Sequence, residues 1–370
     1  VEEQRIIYPE VDCVFAMSVA AHGDRIAISC EGGFGSEIPG AVYLYQWDGV
    51  SWIEETELTA VNGATVEPIG PSLSLGNEVV AFSTHDYDEN LNIAGAVYVF
   101  RNNGASWIQE ARITAADGDA DDVFGFATAL HGNVLAATSF SDPAGAVYFF
   151  RYDGAQWDQE QKLTAAELGA PGNLAYTALD LGNNVGIVGL PYEDGVAQNT
   201  GAAYVFRNTN GIWGLEQRIT SGSADPNQYY ATSISIYGNA LAISHTNSPS
   251  VDYFRFNGAA WVRMSTITAE STGSPLGPAP DFLGNMTAMD GAHLMFGWPL
   301  GDGAAALSGV VYASEVHDCY PIPAMSLGGS VILASSLLLV GARMVRRSML
   351  AVRPVSNVGD PRDSGQKARR

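Results

Sequence analysis

The chain has 370 residues, of which 16% are charged, and it carries 41 glycines and a formal net charge of −22. Residues 1–320 hold 38 acids against 10 bases, a balance that repels phosphate backbones and argues against nucleic acid as a partner. Three cysteines without Cys-x-x-Cys or Cys/His spacing give no zinc pattern, and no nucleophile motif, phosphate loop or histidine pair marks an enzyme.

In chain order, residues 1–8 read as one strand, Glu2-Glu3-Gln4-Arg5-Ile6-Ile7. The chain opens on Val1 with no visible signal peptide. A leader has been removed, or the sequence starts inside a longer protein. A hairpin follows, turning at His22-Gly23-Asp24, and Cys13 and Cys30 flank it closely enough for a disulfide outside the cytosol. The hairpin recurs at Gly76-Asn77, Gly132-Asn133, Gly182-Asn183, Gly238-Asn239 and Asp290-Gly291, where Gly and Asn tolerate positive φ.

After each hairpin a third strand opens on small residues. It reads Gly40-Ala41-Val42-Tyr43, Gly95-Ala96-Val97-Tyr98, Gly145-Ala146-Val147-Tyr148 and Gly201-Ala202-Ala203-Tyr204. A weaker copy, Ser250-Val251-Asp252-Tyr253-Phe254, takes Tyr253 as its repeat tyrosine, and the last is Gly309-Val310-Val311-Tyr312. Trp52, Trp107, Trp157, Trp213 and Trp261 each lead a fourth strand, as packing residues between repeats or, if exposed, as stacking platforms for sugars. Residues 124–165 show the unit whole: strands over 124–130, 134–138, 145–151 and 157–164.

A β-rich unit repeating about every 50 residues predicts a β-propeller of four-stranded blades. Six third strands stand against five Trp-led strands, so residues 1–8 supply the missing strand and close a ring without free edges. The expectation is all-β with six blades, or seven if the chain is truncated. Its domains are a propeller over 1–318, a membrane segment over 319–347 and a basic tail over 348–370.

The Phe-Gly at Phe124-Gly125, the acidic lead-in from Asp117 to Asp122, the Gly-Ala-x-Tyr-x-Phe strand and the following Trp resemble the FG-GAP repeat family, whose propeller also heads integrin α subunits. The resemblance covers residues 1–315. Elsewhere the Phe-Gly is eroded to Phe15-Ala16, Asn173-Leu174-Ala175-Tyr176, Tyr229-Tyr230 and Phe282-Leu283-Gly284. It implies an extracellular binding or adhesion role and Ca²⁺ in Asp-rich loops. Two loops offer oxygen ligands at alternate positions, Asp86, Asp88, Asn90 and Asn92 in one and Asp117, Asp119 and Asp121 in the other. The same residues also suit solvated, turn-forming loops.

Residues 324–342 are uncharged and, as a helix, span about 28 Å, enough for a bilayer core. Arg343, Arg346 and Arg347 follow, which places the tail in the cytoplasm and the propeller outside. Pro321-Ile322-Pro323, the apolar stretch and the arginines resemble bacterial surface-protein sorting signals processed by exosortase-type enzymes. A permanent single-pass anchor is the other reading. The expected function is a surface-displayed, non-enzymatic propeller that binds an extracellular protein or glycan. The alternatives are a carbohydrate-active enzyme or a structural envelope protein.

Overall fold

The computed structural model describes residue 6 and residues 13–32, 40–63, 65–66, 69–84, 94–119, 122–140, 145–170, 174, 178–246, 250–268, 286–290, 293–298 and 310–315. Among them lie five four-stranded antiparallel sheets and one three-stranded sheet, each an up-and-down meander. The first sheet is Cys13–His22, Arg25–Gly32, Gly40–Trp47 and Trp52–Leu58. The second is Ile69–Leu75, Val79–Thr84, Ala96–Asn102 and Trp107–Ile113. The third is Thr128–His131, Val134–Ser139, Ala146–Tyr152 and Trp157–Thr164. The fourth is Ala178–Gly182, Val185–Leu190, Ala202–Thr209 and Ile212–Ile219. The fifth is Tyr230–Tyr237, Ala240–His245, Ser250–Phe256 and Trp261–Thr268, and the sixth is Met286–Asp290, His293–Trp298 and Val310–Glu315. First strands of successive sheets adjoin from one to six, the stacking of propeller blades with the first strand at the hub.

The third strands are apolar on both faces because each sheet is packed on both sides. Val97 and Val99 join Leu135, Ala137 and Tyr148 of the third sheet, while Tyr98 and Phe100 join Val42 and Leu44 of the first. The last apolar residue of the fourth strand packs on the following sheet in the first four sheets. Leu58 lies against the second, Ile113 the third, Leu163 the fourth and Ile219 the fifth. Ile6 occupies the same kind of place, against Ile28, Cys30, Ala41, Tyr43 and Tyr45 of the first sheet. The remainder of the strand expected over 1–8 lies outside the described residues.

The Phe-Gly segment is a turn and not the strand expected from 124 onward; the strand begins at Thr128. Gly125 has φ +88°, and its N–H donates to the Thr138 carbonyl at 2.8 Å. Phe124 is buried against the start of the preceding sheet's third strand, where a Cβ on Gly95 would lie 2.2 Å from the Phe124 carbonyl oxygen. That contact is why the third strand opens on glycine. Tyr230 crowds Gly201 in the same way and Leu174 crowds Gly145. Three residues after the turn's apolar anchor, an N–H finds a hydroxyl on the sheet's second strand: Ser18 to Ser29, Ser72 to Ser83, Ala127 to Thr138 and Ser233 to Ser244. This bond reveals Ile69-Gly70 as the second sheet's copy of the turn, which its sequence hides.

The fifth sheet corrects the repeat alignment. Strand pairing sets Phe82, Ala137 and Val188 opposite Tyr98, Tyr148 and Tyr204, and sets the corresponding Ile243 opposite Asp252. Asp252, and not Tyr253, therefore occupies the repeat-tyrosine position. An adjacent tyrosine disguised the substitution.

Every described fourth strand is bulged. The residues bypassed by the pairing are Glu55, Glu110, Glu160, Glu216 and Met264. A bulge re-aims a side chain, and four of these carry a carboxylate into a junction. Glu110 binds Arg101 through two bonds of 2.6 and 3.0 Å and accepts from Trp157 Nε1 of the next sheet at 2.9 Å. Glu216 repeats this with Arg207 and Trp261, and Glu55 with Arg25 and Trp107. At the junction between the third and fourth sheets Trp213 instead stacks on Phe149, 4.4 Å between centroids, and its indole N–H is buried without a partner. All five repeat tryptophans are buried or half-buried, so they act as packing and latching residues.

Candidate binding face

The sheets have two unlike ends. One carries tight turns, including Gly23, Gly132 and Gly238 at positive φ. The other carries the Phe-Gly turns and the connection over 190–201, with the lead-ins over 114–119 and 220–229. Loops that differ from repeat to repeat on a common scaffold are where recognition resides.

Of the proposed metal ligands, Asp86, Asp88, Asn90, Asn92 and Asp121 lie outside the described residues. Asp117 and Asp119 are both at the long-loop end. Asp117 accepts from the Tyr148 hydroxyl at 3.1 Å and from Lys162 Nζ at 2.7 Å. The Lys162 bond is the main cause that holds the Asp117 carboxyl below its ordinary pKa. A cation at this loop would compete with that ammonium. Asp119 takes part through its backbone, its N–H donating to Asp122 Oδ2 at 2.6 Å. Among the described residues no three His, Cys, Asp or Glu side chains gather to hold a metal ion.

The fourth sheet builds a related arrangement with different residues. Glu193, buried in the 190–201 loop, accepts from Arg218, which also donates to the Tyr204 hydroxyl at 3.1 Å. Burial, followed by the bond and charge of Glu193, pushes Tyr204 up to about 12. In the fifth sheet Asp252 stands at the tyrosine position, fully buried. The Tyr230 hydroxyl donates to it at 3.2 Å, Arg263 Nη1 donates at 3.1 Å, Thr266 donates to its other oxygen, and His245 Nε2 lies 3.1 Å away. Burial works against this carboxylate, but the contacts with His245, Thr266 and Arg263 outweigh it and keep its pKa below the ordinary value.

The hub is polar. Ser72 accepts from the Thr128 N–H, Ser233 from Thr287 and Ser235 from Met289, so side chains of one first strand satisfy backbone groups of the next. Asp180 does the same for Ile236 at 2.8 Å, and crowding by protein raises its pKa to about 6.

Cys30 is disulfide-bonded, and Cys13 stands on the neighbouring strand two places from Phe15, the residue opposite Cys30. No helix among the described residues is long and apolar enough to cross a membrane, and residues 319–370 lie outside them.

The FG-GAP repeat model matches residues 107–150, from the Trp-led strand of the second sheet to the third strand of the next. That stretch contains Phe124-Gly125, an intact Phe-Gly turn. No curated protein is similar to the chain in sequence. Among solved structures, it is similar to the β-propeller domain of the Trilobed protease from Pyrococcus furiosus, at 7% identity and a TM-score of 0.49, covering 83% of this chain and 82% of that one. A proposed 6-phosphogluconolactonase from Bacteroides uniformis ATCC 8492 shows 12% identity and 0.47, covering 80% and 79%. Sqt1 from Chaetomium thermophilum shows 14% and 0.46, covering 82% of each chain. Such distant likenesses say nothing about chemistry.

Proposed function

We propose that the chain is a surface-displayed, non-enzymatic binding module that recognises an extracellular protein or glycan through the long-loop end of its sheets. One observation carries this reading. Among the described residues, three acids at that end are each committed to a base, Asp117 to Lys162, Glu193 to Arg218 and Asp252 to Arg263. The face therefore offers shape and hydrogen bonds rather than an acid and base awaiting a substrate. The disulfide at Cys30 supports an oxidising compartment. The uncharged stretch over 324–342 with its following arginines supports a single-pass anchor and a cytoplasmic tail.

Two measurements test the reading. Full-length protein is expected to fractionate with membranes and to become soluble when residues 319–370 are deleted; a soluble full-length chain refutes the anchor. Ca²⁺, assigned to Asp86, Asp88, Asn90 and Asn92, is expected to raise the Tm and chelator to reverse the gain. An unchanged Tm removes calcium from the account.

A further inference from the structure

In two of the Phe-Gly turns the residue before the aromatic anchor lies in the left-handed region, as does the residue after it. In the third sheet it is Val123, φ +49°, just before Phe124, and in the fifth it is Tyr229, φ +47°, just before Tyr230. The strain thus belongs to the scaffold, but the side chain it presents does not. At the long-loop end, the Tyr229 ring meets Tyr192 of the 190–201 loop edge to face, 5.3 Å between centroids. Tyr192 is 51% exposed.

The loop beneath the pair is rigidly fixed. Asn227 N–H donates to the Gln198 carbonyl at 2.8 Å, Tyr229 N–H to Asn199 at 3.0 Å and Tyr230 N–H to Thr200 at 3.2 Å. Asp194 Oδ1 accepts from the Asn199 N–H at 2.8 Å, and Asn199 Nδ2 donates to Asn227 Oδ1 at 2.9 Å. An exposed ring and an exposed carboxylate, Asp194, therefore lie on one fixed loop that also carries the Asn199 amide bonded to Asn227, and little ordering remains to be lost when a ligand docks.

We infer that Tyr192, braced by Tyr229, is a stacking platform for a neutral sugar, with Asp194, Asn199 and Asn227 facing its hydroxyls. The inference rests on the long-loop end being the binding face, and it specifies the ligand. A pyranose offers an apolar C–H face to a ring and hydroxyls at its edge, which matches a Tyr flanked by Asp and Asn. The net −28 carried by residues 1–320 disfavours acidic sugars.

The test uses full-length protein titrated with cellohexaose, xylohexaose, mannohexaose and chitohexaose, with polygalacturonate as the anionic comparison. At least one neutral probe is expected to bind and polygalacturonate not to. Tyr192→Ala is expected to weaken binding about tenfold or more, as for a stacked aromatic anchor, and Tyr192→Phe to retain it. Tyr237→Ala, which removes a tyrosine of similar exposure (50%) at the opposite end, is expected to leave binding unchanged. Sugar binding insensitive to Tyr192→Ala overturns the platform and leaves a binding module standing. Loss of a protein partner on Tyr192→Ala, without any sugar binding, overturns the sugar and keeps the face. Binding of neither class overturns both.

Discussion

The third and fifth sheets share one backbone plan and solve one position differently. In the third, Tyr148 sends its hydroxyl to Asp117, which Lys162 neutralises at a partly exposed edge. In the fifth, the carboxylate has moved into the strand as Asp252, and Tyr230, His245, Arg263 and Thr266 converge on it. The same chemical pieces, a phenol, an acid and a base, are used in both. What changes is which one sits in the wall. A repeat position specified by shape can thus accept a charge, provided the neighbouring strands supply its partners.

The comparison breaks most sharply at the acids. Asp252→Ala leaves the Tyr230 and Thr266 hydroxyls without their buried acceptor, while Arg263, its side chain 46% exposed, turns to water; the change is expected to cost about 2–4 kcal/mol. Asp117→Ala, at a side chain 54% exposed, is expected to cost about 0–1 kcal/mol. Denaturant unfolding of both variants checks the contrast, and equal losses would erase it. Because the folded pKa of Asp252 is lowered, its contribution is present above about pH 4 and disappears as pH falls through the folded value.

Asp180 has the opposite sign. With its pKa raised to about 6, folding is favoured while it is protonated, and that advantage fades as pH rises from about 4 to 6. Asp180→Asn keeps an acceptor for the Ile236 N–H. It loses the acceptor for the Leu181 N–H, now bonded to Oδ1 at 2.8 Å, so it is expected to flatten that slope while the gain of up to about 2–3 kcal/mol at pH 7 is largely offset by about 1–3 kcal/mol for that bond. A pH series of Tm values measures both.

The smallest contrast lies in the Phe-Gly turn, where Gly125 of the third sheet corresponds to Ala231 of the fifth, φ +68°. Gly125→Ala adds a Cβ 2.9 Å from Val97 Cγ2 at φ +88° and is expected to cost about 1–3 kcal/mol. Ala231→Gly relieves strain of about 1 kcal/mol but removes a buried methyl of similar worth, so it is expected to be close to neutral.

Much of the scaffold was readable because its signals are local. The Gly-Ala start marks the third strand, and the Trp marks the fourth, from Trp157 to Thr164 as expected. Val97 and Val99 alternate with Tyr98 and Phe100, so both faces of that strand are apolar, as packing between two sheets requires. The turn at Phe124-Gly125 was misread as strand because small and apolar residues alternate there as well, and φ cannot be read from that alternation. Ile69-Gly70 went unseen because its identity as a turn lies in a bond from Ser72 to Ser83 across the sheet. The tryptophans were recognised as packing residues. Their glutamate partners were not, because a bulge shows in pairing and leaves no mark on composition. The Tyr192–Tyr229 pair joins residues from two repeats, and only the fold brings them together.

The indole–glutamate latches also make the array mechanically uneven. Where Trp107, Trp157 and Trp261 reach back to the preceding sheet, tension on one sheet is shared with its neighbour through a directional bond. Trp213 lies flat on Phe149 without an indole latch, and its backbone is held instead by the Gln161 side chain, which donates to its carbonyl and accepts from its N–H, each at 2.8 Å. Under tension the junction between the third and fourth sheets is expected to hold through this side-chain amide, where the others add an indole.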